Sequence, residues 1–132
     1  MPGIAPYVRH MLLCEDAHES SPGSNKLHIF GLLTRIRVPR DNQPPFSHTF
    51  SVFLLMTGGR GKGKGEIQIV HADSGTTVYD SNPVLFQFRN DPLAITASII
   101  RIPDCKFPER GEFSVKFSYN GEVMARESLR VE

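Results

Sequence analysis

The sequence predicts an all-β domain, and two observations support that prediction. Ten prolines and eleven glycines interrupt the 132-residue chain at short intervals, and no apolar repeat of helical spacing lasts for a dozen positions. Between the interruptions lie short runs rich in β-branched and aromatic residues, a pattern typical of a sandwich or a barrel. We therefore expect a β-sandwich of about seven to nine mainly antiparallel strands.

The first half of the chain supplies three predicted strands. Tyr7–Glu15 is the first, and a polar loop follows it. The second, Leu27–Val38, is apolar on both faces at its start and on one face at its end, so it is predicted to become half exposed. The third begins at Phe46 or His48 and ends at Thr57. Because it is apolar at both odd and even positions, it is predicted to be a central strand.

The next part of the chain is predicted to contain a hairpin and two further strands. The runs 66–72 and 76–80 flank the turn 73–75, and a three-residue connection would pair Ile69 with Tyr79 and Val70 with Val78. The two strands that follow are expected at Val84–Phe88 and Ala94–Ile102.

The last hairpin allows a sharper prediction about register. Asn120 and Gly121 favour a two-residue turn, but that turn would set Phe117 opposite Met124 and the aromatic face against a mostly polar one. A three-residue loop or a bulge sets Phe117 opposite Ala125 instead. Because a slip of one residue moves every side chain to the other face, we predict the loop or the bulge. The same register pairs Phe113 with Leu129 and Val115 with Glu127, which makes the last strand an edge or a bulged strand.

The length predicts a single domain over residues 1–132, and the predicted sandwich is of immunoglobulin-like type. Fifteen basic against fourteen acidic residues give a net charge of +1, so a nucleic-acid partner is not expected. No signal-peptide core or run of ~18 apolar residues occurs, which predicts a cytoplasmic protein without a membrane partner. The two cysteines, Cys14 and Cys105, are expected to be buried free thiols.

Several segments together resemble a family. The opening stretches Met11–Asp16 and Asn25–Gly31 are similar to the start of a group of small bacterial proteins of unknown function. The closing stretch Phe107–Phe113, with 120–122 and 129–131, is similar to the end of the same group. The resemblance spans nearly the whole chain and implies a β-sandwich. It implies no activity and no site residues, because none is known for the group.

The segment Gly58–Gly65 is the most conspicuous feature of the sequence. It contains five glycines together with Arg60, Lys62 and Lys64. It resembles part of a phosphate-binding loop, but Gly65 stands where Ser or Thr is required and a strand rather than a helix follows. We therefore expect a mobile loop. Its three cations either bind an anionic partner or only keep a hairpin tip soluble, and the sequence leaves both possibilities open.

No motif predicts catalysis, and no cofactor or metal site is expected. The five histidines lack metal-ligand spacing, and no serine lies in a nucleophile elbow. The leading hypothesis is a non-enzymatic binding or assembly module with a protein partner, which includes a homodimer formed by edge pairing or face packing. The alternatives are an anion-binding module that uses the segment 58–65 to bind nucleic acid or an acidic protein, and an enzyme with an unrecognised site.

Overall fold

The computed structural model describes residues 3–24, 26–91 and 93–132. Ten strands occur in this part of the chain, and no helix long enough to cross a membrane is found in it. The strands are β1 Tyr7–Glu19, β2 Leu27–Leu32, β3 Arg35–Ile36, β4 Phe46–Thr57, β5 Gly61–His71, β6 Thr77–Asp80, β7 Val84–Phe88, β8 Ile95–Phe107, β9 Gly111–Tyr119 and β10 Glu122–Val131.

The strands form two sheets that face each other as a β-sandwich. The first sheet has the order β2-β1-β4-β8, and β4 is a central strand as its apolar pattern predicts. The second has the order β3-β10-β9-β5-β6, with β7 on the same edge of β5 as β6. All pairings are antiparallel except that of β3 with β10. The predicted all-β sandwich is confirmed.

The structure has one strand more than the predicted range because the run Leu27–Val38 changes sheets. Its first part is β2, which pairs with β1 in the first sheet. Its later part is β3, which pairs with β10 in the second sheet. Gly31 has a φ of +63°, a conformation that side-chain-bearing residues rarely adopt, and it lies near the point where the chain leaves the first sheet.

The register of the last hairpin is confirmed, through the bulge rather than the three-residue loop. The pairs Phe117–Ala125, Phe113–Leu129 and Val115–Glu127 all form. Asn120 and Gly121, both with positive φ, make a two-residue turn, and the register shifts between Val123 and Ala125. Met124 is the extra residue and is partly buried against the core. In the other predicted hairpin Ile69 pairs with Tyr79 as expected, but Val70 pairs with Thr77 because of a second bulge.

The core fills the space between the sheets with aliphatic and aromatic side chains. From the first sheet it takes alternate residues of β4, which are fully buried: Phe50, Val52, Leu54 and Met56. From the second it takes alternate residues of β5 and β9, such as Ile67, Ile69 and Phe117. Phe107 and Phe113 meet edge to face across the sandwich, with ring centroids 4.9 Å apart.

Candidate functional site

The segment that carries the predicted cations is a strand and not a mobile loop, so this part of the prediction is wrong. Gly61–Gly65 pairs residue by residue with β7, from Gly61 opposite Phe88 to Gly65 opposite Val84. The alternate glycines point into the sandwich and leave room for aromatic rings. A Cβ at Gly63 would overlap the Tyr119 ring and hydroxyl, and one at Gly65 would lie 2.5 Å from Phe86.

The strand geometry determines where the side chains of the three predicted cations lie. Lys62 and Lys64 point outward between the buried glycines and are exposed, while Arg60 is half-buried and bridges to Ile4 through two 2.9 Å backbone hydrogen bonds. Arg89 directly follows Phe88, the partner of Gly61 at the end of the β5–β7 ladder. Within the described chain none of these four side chains has a carboxylate within 4.0 Å. The structure therefore places Lys62 and Lys64 on the outer face of β5, with Arg60 next to the start of that strand and Arg89 next to the end of β7.

A second surface at this end is the open edge of β8. This strand pairs with β4 from Ile95 to Phe107 and is the last strand of its sheet. Along its other edge no strand of the described chain pairs with it. An unpaired row of backbone N–H and C=O groups is a template for a further strand, and natural proteins usually protect such edges.

The second half of β8 is protected. Pro103 has no N–H, and Asp104 adopts a φ of +49° where the strand bulges against β4. Thr49 Oγ1 accepts a 2.9 Å hydrogen bond from the Asp104 N–H. Tyr79 of β6 lies close to this half as well. Burial first, and then the neighbouring Cys105 thiol, raise the pKa of Tyr79.

The first half of β8 has none of these protections. Ile95–Ile102 contains no proline and no bulge, and Arg101 is its single charge. Its outward side chains include Ile95, which is 58% exposed, and the exposed Ala97. A stretch of this kind, with high β-propensity and low charge, is the type that pairs readily with another strand.

The hairpin formed by β1 and β2 bends back toward this edge. β1 pairs with β4 only as far as Cys14, and from there to Glu19 it pairs with β2 alone. At the bend Gly31 lies between the pairs Cys14–Leu32 and Asp16–Phe30, so it faces Glu15. A Cβ on Gly31 would lie 2.8 Å from Glu15 Cγ, so glycine permits the close approach.

The residues that line a cavity of about 690 Å³ indicate where the end of the bent hairpin lies. It is lined by Glu19 and Leu27 from the end of the hairpin and by Leu55 of β4. His10 is the partner of Leu55, and Glu19 lies nine residues after His10. If β1 were straight, Glu19 would therefore be about 30 Å from Leu55. The hairpin therefore bends back to the outer side of the first sheet.

The cavity is a groove along the start of β8. Ala94–Ala97 lies along the groove, the hairpin end stands on one side, and Gln87 and Arg89 stand on the other. Glu19 and Arg89 thus bring opposite charges to its two sides. Neither has an ion-pair partner within 4.0 Å in the described chain, and the same is true of Arg101 farther along β8. The groove offers open backbone, apolar surface and free charges together.

This site was not predicted from the sequence, for an identifiable reason. Its prediction of a strand at Ala94–Ile102 was nearly right, but a strand pattern does not say which edge stays open. The available signal was the lack of proline and the single charge over 95–102. Glu19 and Leu27 gave no signal, because a bend in the hairpin brings them to β8.

The arrangement most similar to a catalytic triad joins His71, Ser74 and Glu109. The buried His71 places Nε2 3.0 Å from Glu109 Oε1, and Nδ1 accepts a hydrogen bond from the Ser74 N–H at 3.3 Å. The Ser74 hydroxyl lies 3.2 Å from Nδ1 but donates its one proton to Thr76 Oγ1 at 2.9 Å. This network closes the β5–β6 turn, and none of the three side chains lines a described cavity.

Both cysteines are buried free thiols, as predicted. Burial raises the pKa of Cys105 to about 12, and Asp104 adds to the effect. Burial, with Asp16 and Glu15, also raises the pKa of Cys14. Such thiols are poor nucleophiles, because the thiolate is the reactive form. The described residues also contain no group of three potential metal ligands.

Comparison with known proteins agrees with this fold. The chain is similar to an immunoglobulin-like protein from Pseudomonas aeruginosa, PA1606, whose crystal structure aligns over 98% of each chain with a TM-score of 0.50 and 13% identity. This likeness concerns the fold alone. No curated protein matches the sequence. The family model described as a family of unknown function, DUF6941, matches residues 9–132. The chain therefore belongs to the DUF6941 family.

Proposed function

We propose that this chain is a non-enzymatic binding module that captures an extended segment of a protein partner on the open edge of β8. The observation that carries the proposal is the unprotected stretch Ile95–Ile102 along a groove of about 690 Å³. Strand addition to a sheet edge uses backbone hydrogen bonds for affinity and alternate side chains for specificity. The groove provides both kinds of contact.

The proposed partner segment follows from the surfaces on its two sides. A strand added to β8 would place alternate side chains against Leu27 and Ala97 on the outer side, where apolar residues fit best. On the other side Gln87 and Arg89 favour polar or acidic residues. The preferred ligand is thus an extended segment that is apolar at alternate positions and carries no proline opposite Ile95–Ile102.

The chemistry of the remaining groups supports a binding role over an enzymatic one. The His71 network is committed to a turn, and both thiols are kept protonated by burial. Free thiols are also usual in a reducing compartment, so the proposal includes the cytoplasmic location expected from the sequence.

A selection of short random peptides displayed on phage tests the proposal directly. Selected peptides should shift the backbone amide NMR signals of Ile95–Ile102 and leave those of β10 unchanged. The variant Ala97→Lys places a charge on the edge and should weaken binding about tenfold or more. Ser128→Lys is the matched control, since Ser128 is exposed on the other sheet. Peptides that bind elsewhere, or that bind Ala97→Lys equally well, would disprove strand addition at β8.

A second candidate function is anion binding by Arg60, Lys62 and Lys64. The observation that favours it is that Lys62 and Lys64 are exposed on one face of β5 and that none of the three residues has a carboxylate partner in the described part of the chain. The triple substitution of all three residues by Ser should abolish retention on an immobilised acidic peptide at low salt without changing thermal stability. Equal retention of both proteins would remove this candidate.

A further inference from the structure

We infer that the segment that occupies the β8 edge is the β8 strand of a second copy of this chain, antiparallel to the first about a two-fold axis through Ser98. This inference rests on the proposed strand addition and names the partner. It predicts a homodimer in which the two four-stranded sheets join edge to edge. The resulting continuous eight-stranded sheet would carry both six-stranded sheets side by side on the same face.

The position of the axis follows from the limits of the open edge. A two-fold axis perpendicular to the sheet pairs residues whose numbers add to an even sum, because their side chains must lie on the same face. An axis through Ser98 pairs 95 with 101 and so uses all of the unprotected stretch except Ile102. Moving the axis by one residue toward Pro103 sets Ile95 opposite this proline, which has no N–H, and moving it the other way restricts the pairing to 95–99.

The side chains of β8 are compatible with this register. On the outer face Ala97 would lie opposite Ile99, and Ile95 opposite Arg101. On the inner face Ser98 would meet its own copy. No like charges face each other, whereas an axis through Arg101 would set the two arginines directly opposite each other. The stretch is therefore nearly self-complementary in this register.

Charge complementarity is the argument for a second copy over an unrelated strand. Glu19 lines the groove together with Ile95 and Ala97 at the outer face. In the dimer the Arg101 of one copy would face Ile95 of the other and so approach Glu19 of the other copy. Both side chains lack an ion-pair partner in the described part of a single chain. The two-fold axis repeats the pair, which gives two Glu19–Arg101 contacts per dimer.

The test is a charge exchange followed by analytical ultracentrifugation. The wild-type chain should sediment as a dimer. Glu19→Arg alone and Arg101→Glu alone should each weaken dimerisation about tenfold or more, since each sets two pairs of like charges together. An equimolar mixture of the two variants should restore dimers, because a heterodimer has only opposite charges at both contacts. A mixture that stays as monomeric as its components would overturn the inference.

A second variant reports on the axis itself. Ser98→Cys should form an intermolecular disulfide on mild oxidation, since residues opposite each other in an antiparallel pair have Cα atoms about 4.5–5.5 Å apart. The native thiols are buried and should not interfere. Cross-linking of Ser128→Cys with the same yield would contradict the register. A monomeric wild type that still binds selected peptides at Ile95–Ile102 would overturn the dimer and leave the proposed strand addition intact.

Discussion

Two eight-residue stretches of this chain, 58–65 and 95–102, contrast in sequence and in structure. The first is rich in glycine and charge, and it is the most conspicuous part of the sequence. In the structure most of it is strand β5, and its alternate glycines lie buried under aromatic rings. The second resembles an ordinary strand, yet its outer edge is open along a groove.

The difference between the two stretches teaches that glycine has two opposite uses. In a loop glycine provides conformational freedom, but in a strand it can leave space for a large side chain on the neighbouring strand. Gly63 and Gly65 serve the second purpose, because Tyr119 and Phe86 occupy the space that their side chains would take. A charge pattern alone does not distinguish these uses, since Lys62 and Lys64 point to solvent in either case.

The largest expected effect comes from Gly63→Ala. The added methyl group would overlap the Tyr119 ring, which is buried and has no room to move, so the free energy of unfolding should fall by about 3 kcal/mol. Urea unfolding followed by circular dichroism measures the change. A mobile loop would instead tolerate the substitution.

Gly58→Ala is the matched control for that substitution. Gly58 has a φ of +78° but no atom within 4 Å of the added Cβ. Gly58→Ala should therefore lower the free energy of unfolding by about 1–2 kcal/mol, through backbone strain alone. If Gly63→Ala costs no more than Gly58→Ala, the packing of Tyr119 against Gly63 does not stabilise the fold as we argue.

A smaller effect of opposite sign is expected for Tyr119→Phe. The Tyr119 hydroxyl is buried against Gly63 and has no hydrogen-bond partner in the described part of the chain. Burial also raises the pKa of Tyr119. Removal of an unsatisfied buried hydroxyl should increase the free energy of unfolding by about 1 kcal/mol. Differential scanning calorimetry should show a higher Tm, and a lower Tm would indicate a hydrogen bond that the packing does not reveal.

The sequence predicted strands best where one face is buried. The pairing of Phe117 with Ala125 could be derived because the alternative register exposes a row of aromatic side chains. The predicted pairing of Val70 with Val78 was wrong, because a bulge shifts the register between Ile69 and Val70 and sets Val70 opposite Thr77. The change of sheet after β2 was also missed, since a run of apolar residues does not reveal which sheet each part joins.

The sequence by itself determined the all-β fold and the central position of β4, because local periodicity and turn residues specify which side chains face the core. The burial of both cysteines was predicted from their number and residue type. Only the tertiary structure decided where β5 begins, which edge of β8 stays open and that Glu19 lies near Ala97. Each of these depends on residues far apart in the chain. Gly63 must be a glycine because the Tyr119 ring occupies the space of its side chain. The edge of β8 is open because no other strand of the described chain pairs with it.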